Sequence, residues 1–257
     1  MEINIILGML LGIFAIYFGA PDIRTDVSVY MQLDAFILVA GGTIASSLIS
    51  TSLHDFKQLF KAIGKLFFGK KNLRPDAAVE ALVDVSKFAQ KTNKQELSKK
   101  AENIGDGFMR RGLTLVGAGL DKSFIDQTLE TDMLETKRRH LGYISMVRTM
   151  GSFAPMFGMA GTVIGVVQVL KNVTDIENIV SGMALALLTT LYGLFLSSLL
   201  FIPLSNKLRM KSEDELLTKE IIRVGILMIL DKEIPLKVEQ YLMAYLGHSQ
   251  KRDDKKK

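Results

Sequence analysis

Charged residues are missing from four long stretches of this chain and crowded into the segments between them. Ile3 to Pro21 and Ala35 to Leu53 carry no charge over 19 residues each, Thr149 to Leu170 over 22 and Asn178 to Asn206 over 29. A helix rises about 1.5 Å per residue, so about 20 apolar residues cross a hydrocarbon core roughly 30 Å thick. All four runs reach that length. The fourth would extend about 43 Å as a helix, so its inner end should project beyond the bilayer. No segment shows strand alternation, and no Asn-Gly or Asp-Gly turn joins two apolar runs. The expected fold class is therefore all-α: a polytopic membrane protein with four transmembrane helices and a helical cytoplasmic domain between the second and third.

The charged segments also read as helices. From His54 to Gly69, Phe56, Leu59, Phe60, Ile63, Leu66 and Phe67 recur every three or four residues, with Lys57, Lys61 and Lys65 on the other side. This amphipathic helix suits the inner membrane surface. Pro75 fits the start of a helix over Asp76 to about Lys91, and Asn93 fits the N-cap of another over Lys94 to Ile104. Helices over Asp106 to Ala118 and from Asp121 through His140 follow. Residues 137–140, KRRH, carry no stop signal, so one helix is expected to run unbroken past Arg148 into the third membrane run. The fourth should continue through Lys207 to Leu230, ahead of Pro235 and a final helix from Leu236 to Leu246. The expected division is 1–53 for the first two membrane helices, 54–147 for the cytoplasmic domain, 148–206 for the second pair and 207–257 for a cytoplasmic helical segment and a disordered basic tail.

Composition sharpens this picture. A mean hydropathy of +0.25 with 48% hydrophobic residues is high for a soluble protein of ordinary charge content. The first run lacks a positive n-region, starting Met-Glu, and Pro21 after Gly19-Ala20 makes a poor cleavage site, so it reads as a membrane helix rather than a signal peptide. Of 32 Lys and Arg, 17 fall between His54 and Val147 and most others after Asn206, while the two short loops at 22–34 and 172–177 hold only Arg24. Positive loops stay in the cytoplasm, which places both termini and the middle segment inside. The net charge of +5 is then a topology signal, and no nucleic-acid partner is expected. With no cysteine and three scattered histidines, there is no thiol nucleophile, disulfide framework or His-based metal site. No nucleophile elbow, HExxH or Walker lysine loop is present, so no enzyme is expected.

The candidate chemistry lies in the third and fourth runs. Thr162 is nine residues before Lys171 and Thr189 nine after Val180, which puts both about 13 Å in from the outer end. Thr190 makes a third hydroxyl at this depth, and Gly158, Gly161 and Gly165 thin the third helix at the same height. The hydroxyls could bond back to their own helices or line a path. No run holds an Asp, Glu, Lys or Arg in its interior, although ion relays normally need one. The chain is therefore either a structural membrane scaffold or the wall of a pathway whose carboxylate comes from a partner; Thr189→Ala separates the two, because a scaffold should tolerate it. Small polar residues in the second run, Thr43, Ser46, Ser47, Ser50 and Thr51, read as helix packing, as does Gly8-xxx-Gly12 in the first.

FAPMFGMAGTVIGV at 153–166 and MALALLTTLYGLFLSSLLFIPLSNKL at 183–208 resemble the third and fourth membrane helices of the flagellar stator family of MotA, PomA and MotP. The resemblance covers essentially the whole chain, including Gly41-Gly42 and the basic approach ending at Arg148. The more distant ExbB and TolQ would be expected to have three membrane helices. The resemblance implies a bacterial inner-membrane protein without cofactor or resident metal, five copies of which surround two copies of a MotB/PomB-type B subunit. That partner's single membrane helix would bring an aspartate to the third and fourth helices. Pro155 and Pro203 match the prolines that couple ion flow to motion. Thr162, Thr189 and Thr190 match the hydroxyl positions beside the partner aspartate, with Gly158, Met159, Gly161 and Tyr192 expected to pack beside the pathway. Thr162 and Thr189 are the sodium-like choices, so Na+ is the expected ion and H+ the alternative, as is an ExbB/TolQ-like energy-transducing role. The expected partners are membrane lipid and the rotor protein FliG, faced by Lys91 and Glu96. Ser98 and Lys99 stand where the family carries an acidic pair, and Asp34 falls two residues late for an outer-mouth aspartate.

Overall fold

A computed structural model describes residues 3–19, 24–68, 73–92, 96–97, 102–171 and 173–247, and every regular element among them is helical. In chain order these are α1 (Ile3–Gly19), α2 (residues 33–50), α3 (Leu53–Phe68), α4 (Pro75–Ala89), α5 (Gly107–Gly117), α6 (Lys122–Lys171), α7 (Ile176–Leu230) and α8 (Pro235–Met243). The missing stop signal after residue 140 shows itself as a single helix of 50 residues in α6. Likewise α7 runs on from the fourth apolar run to Leu230 without a break. Two π-helical turns interrupt regular α geometry, Ile37–Gly41 in α2 and Leu196–Phe201 in α7. The expected helix from Lys94 to Ile104, its Asn93 cap and the tail at 248–257 fall wholly or largely outside the described residues.

Among the described residues three segments are long and apolar enough to cross a membrane: Ser28–Ser50, α6 and α7. The first expected crossing is shorter, since α1 has 17 residues. Leu10, Leu11, Ile13 and Phe14 on α1 are each more than half exposed, an apolar surface without cover inside this chain.

The chain forms two compact units, one of residues 1–69 and 141–209, the other of 70–140 and 210–257. The sequence division put α3 with the cytoplasmic segment, whereas it packs in the first unit. Leu59 is buried against Met146, Val147, Met150 and Leu204, flanked by Phe56 and Ile63 from its own stripe. Periodicity identifies the apolar face but not what covers it. In the same unit Gly42 lies under Phe157, whose ring would be 2.2 Å from an added Cβ, and Gly12 meets Leu199, while Gly8 touches nothing. Thr43 and Ser47 are buried and bond back to Val39 O and Thr43 O at 2.7 Å each, the packing role expected of them.

The second unit has a core of Val79 and Leu82 from α4, Met109 and Leu113 from α5, Ile125 and Leu129 from α6, Ile221, Ile222 and Ile226 from α7, and Val238 and Leu242 from α8. Each such side chain contributes about 1.5–3 kcal/mol of burial. Pro75 opens α4 at its first turn, and the Asp106 carboxylate caps α5 by accepting from Met109 N at 2.8 Å. Lys219 reaches Asp132 at 3.2 Å and Arg223 reaches Asp126 at 2.9 Å, which ties α7 to α6.

The end of α7 makes two testable points. Lys232 sits at φ +58°, where Lys232 N donates to Ile229 O and Glu233 N to Met228 O, the paired bonds of a Schellman cap. A β-carbon is strained there, so Lys232→Gly should stabilise the protein by about 0.5 kcal/mol, read as a higher Tm in detergent. His140, 3.0 Å from Ser212, is held below its ordinary pKa first by burial and then by Arg139 and Lys219, against the pull of Glu215. Between that depressed value and the unfolded pKa of about 6.5 the unfolded chain binds more protons, so stability rises with pH and is lost as pH falls through this window. Tm should therefore drop between pH 7 and pH 5, and by less in His140→Gln.

Candidate functional site

In the first unit, α6 and α7 lie against each other along a row of small residues. Gly151, Ala154, Gly158, Gly161 and Gly165 on α6 recur at three- and four-residue spacing, as do Gly182, Ala186, Thr189, Gly193 and Ser197 on α7. The backbones touch. A Cβ on Gly165 would lie 2.4 Å from Gly182 O, one on Gly158 2.9 Å from Thr189 O, and one on Gly193 2.6 Å from Ala154 O. Without a side chain at these positions, dispersion and interhelical hydrogen bonds replace the hydrophobic effect that is absent between helices in lipid.

The three threonines separate into two roles. Thr162 Oγ1 lies 2.6 Å from Thr190 Oγ1, and both approach the carbonyls of Gly158 and Ala186, at 3.1 and 3.3 Å from Thr162 and at 3.5 and 3.3 Å from Thr190. Thr189 shares with them only the Ala186 carbonyl. It is fully buried over Gly161, where its Oγ1 would be 2.4 Å from a Cβ, and it bonds back to Leu185 O and Ala186 O. Depth counting gives height but not direction; successive residues on a helix turn by about 100°, so Thr189 and Thr190 cannot present the same face. The four oxygens of the Thr162–Thr190 cluster carry two hydroxyl protons of their own, and Thr189 adds a third at Ala186 O, against two lone pairs on each oxygen. Lone pairs are in surplus, which suits a cation and repels an anion. Thr162 and Thr190 are both half-buried, so the cluster keeps an open side.

The other predicted residues scatter around this point. Pro155 lies inside α6 beside Gly193, and Pro203 follows the π-helical turn of α7 by two residues. Pro203 removes the donor for Leu199 O and its ring crowds that carbonyl; the wider turn at 196–201 gives it room. Gly158 and Gly161 pack in the seam, whereas Met159 is 60% exposed. Tyr192 packs on the approach to α2 instead: its hydroxyl accepts from Gln32 N at 2.9 Å and donates to Tyr30 O, and its ring meets Phe36 edge-on. Lys91 and Glu96 in the second unit are exposed. Lys91 lines a surface hollow of about 500 Å³ with Ser86, Gln90, Thr92, Lys232 and Glu233. Ser98 and Lys99 lie outside the described residues.

Comparison with known proteins fits this geometry. The sequence pattern of the MotA/TolQ/ExbB proton channel family matches residues 100–221. The chemotaxis protein PomA of Vibrio alginolyticus is 31% identical over 251 residues, 98% of this chain and 98% of the relative. The chain belongs to the MotA/TolQ/ExbB family, on its MotA side. Motility protein A of Borreliella burgdorferi is 30% identical over 246 residues, 96% of this chain and 94% of its own. The solved flagellar MotAB stator complex from Bacillus subtilis shares the fold, with a TM-score of 0.88 at 24% identity over 98% of each chain. MotA-family proteins are channel and stator subunits, not enzymes. Together with the three helices of spanning length, membership makes this a multi-pass membrane protein.

Sequence reasoning missed Gly182, Ala186 and Gly193 as the facing half of the MotA-type seam, and missed Ser197 altogether. The small residues of α7, Ser197 among them, recur at the right spacing, so the signal for a packing row was present; the hydrogen bond of Ser197 left none, because its partner depends on how the two helices register.

Proposed function

We propose that this chain is the A subunit of a flagellar stator, in which a cation driven through the membrane passes the α6/α7 seam and turns the assembly against a rotor. The observation that carries the reading is the acceptor-rich cluster of Thr162, Thr190 and the Gly158 and Ala186 carbonyls in a wall that has no ionisable group of its own. Such a wall needs a carboxylate from elsewhere. A single-span B subunit bearing an aspartate supplies it, and the half-buried side of the cluster is where it would approach. The solved relative from Bacillus subtilis is a MotAB stator complex, which supports a B partner; a ring of five A subunits around two B subunits, with FliG as the rotor contact near Lys91 and Glu96, completes the proposal.

Four crossings of the bacterial inner membrane, with both termini inside, agree with the distribution of Lys and Arg. On this reading α1 is the fourth span: its uncovered leucines and phenylalanines face lipid or a neighbouring copy, and its 17 residues reach about 26 Å, enough for a locally thinned bilayer.

Sodium is the ion that a set of oxygen ligands with few donors favours. The 2.6 Å contact between the two hydroxyls favours a second reading, in which a proton is relayed through them. Swimming speed in a stator-deficient host carrying this chain and a B-type partner decides between them. Speed that rises with external sodium at fixed pH and survives an uncoupler supports sodium; speed that ignores sodium and collapses with the uncoupler overturns it.

A further inference from the structure

Proline has no N–H, so Pro155 leaves the carbonyl of Gly151, four residues earlier, without its helical donor. In a membrane no water replaces that donor, and an open carbonyl there is expensive. The structure fills it from the neighbouring helix: Ser197 Oγ donates to Gly151 O at 2.6 Å. This is not the default behaviour of a serine in an apolar helix, which bonds back to its own backbone. Ser198, the next residue, does so, to Leu194 O at 2.7 Å. Ser197 is buried and spends its one proton across the seam.

Its position adds meaning to that bond. Ser197 lies in the π-helical turn that relieves Pro203, and its carbonyl accepts the long-range turn bond from Ile202 N. One residue thus bonds to the carbonyl exposed by the first proline and to the turn that accommodates the second. The backbones are clamped on both sides. A Cβ on Gly151 would lie 3.2 Å from Ile202 Cγ1, and one on Gly193 would lie 3.2 Å from Pro155 Cα.

We infer that the Ser197–Gly151 hydrogen bond is a latch that holds α6 at Pro155 in step with the π-helical turn of α7 before Pro203, making Ser197 a positioning residue for coupling. Displacement at either proline is then delivered to the other helix rather than absorbed as independent bending. The coupling role rests on the stator reading above; the bond itself does not.

A double-mutant cycle on the full-length chain tests both parts. In Pro155→Ala the restored N–H of residue 155 takes the Gly151 carbonyl, so Ser197 loses its task. Ser197→Ala should lower the Tm in detergent in the wild-type background and by less than about half as much in Pro155→Ala. An equal drop in both backgrounds overturns the latch. With a B-type partner, Ser197→Ala should leave the number of assembled stators per motor and the ion uptake within about twofold of wild type but lower the stall torque per stator by at least about twofold. Unchanged torque beside a positive Tm cycle overturns coupling and leaves a merely structural bond. Failure of the unaltered chain to give torque with any partner overturns the stator reading and the coupling role with it, while the Tm cycle still judges the bond.

Discussion

Gly165→Ala should abolish motility and lower the Tm of the purified protein, whereas Gly142→Ala, the same change in the same helix, should raise the Tm. The two glycines differ in what faces them. At Gly165 the new methyl would lie 2.4 Å from Gly182 O and 2.8 Å from Ala186 N, backbone atoms that cannot rotate aside. The helices must move apart, at a cost of about 1–3 kcal/mol or more, and the separation is inherited by the Thr162–Thr190 cluster that depends on their contact. At Gly142 nothing lies within 4 Å and the residue is exposed. Only helix propensity changes there, and it favours alanine by about 1 kcal/mol. Thermal unfolding in detergent and swarm-plate motility read the pair; Tm shifts of the same sign for both would contradict the seam.

Thr190→Val is expected to cut ion flux by roughly 10- to 100-fold while the protein still folds and assembles. Valine keeps the shape and removes one of the two hydroxyls, so Thr162 loses its 2.6 Å partner. Losing a partner in a buried polar set costs about 1–3 kcal/mol, and each 1.4 kcal/mol is about tenfold in an equilibrium. Thr189→Ala is the instructive comparison. Its hydroxyl bonds to the Leu185 and Ala186 carbonyls of its own helix and to neither of the other two hydroxyls, so that change should loosen the packing over Gly161 and leave flux within about threefold. The contrast moves the decisive test of a conducting wall from residue 189 to residue 190. Flux measured in cells or vesicles containing the assembled complex reports it, and an equal loss at both positions would reject the division of roles.

Much of the architecture was legible because it follows from length and charge. The unbroken α6 could be read from the lack of a stop signal between residues 140 and 148, and the overshoot of α7 from a run longer than a bilayer is thick. The grouping of α3 with the first unit could not, since an amphipathic stripe records that Phe56, Leu59 and Ile63 are covered but not by which residues. The seam was half legible. Gly158, Gly161 and Gly165 announced a thin face, yet pairing Thr162 with Thr190 requires the rotation of one helix about its axis, which height alone leaves open. Met159 and Tyr192 came from the family resemblance, which gives no side-chain direction: Tyr192 bonds to Gln32 and Tyr30, and Met159 is largely exposed. Ser197 was hidden most deeply, because a serine in an apolar run looks the same whether it bonds to its own helix or to the next.

The oxygen cluster also bears on the order in which such a machine can be built. It offers a cation ligands but no charge to draw the cation from water, and no titratable group to pass a proton. If the carboxylate comes on a B-type partner, as proposed, a leak requires two chains, and a cell that makes this chain ahead of its partner should not discharge its own membrane.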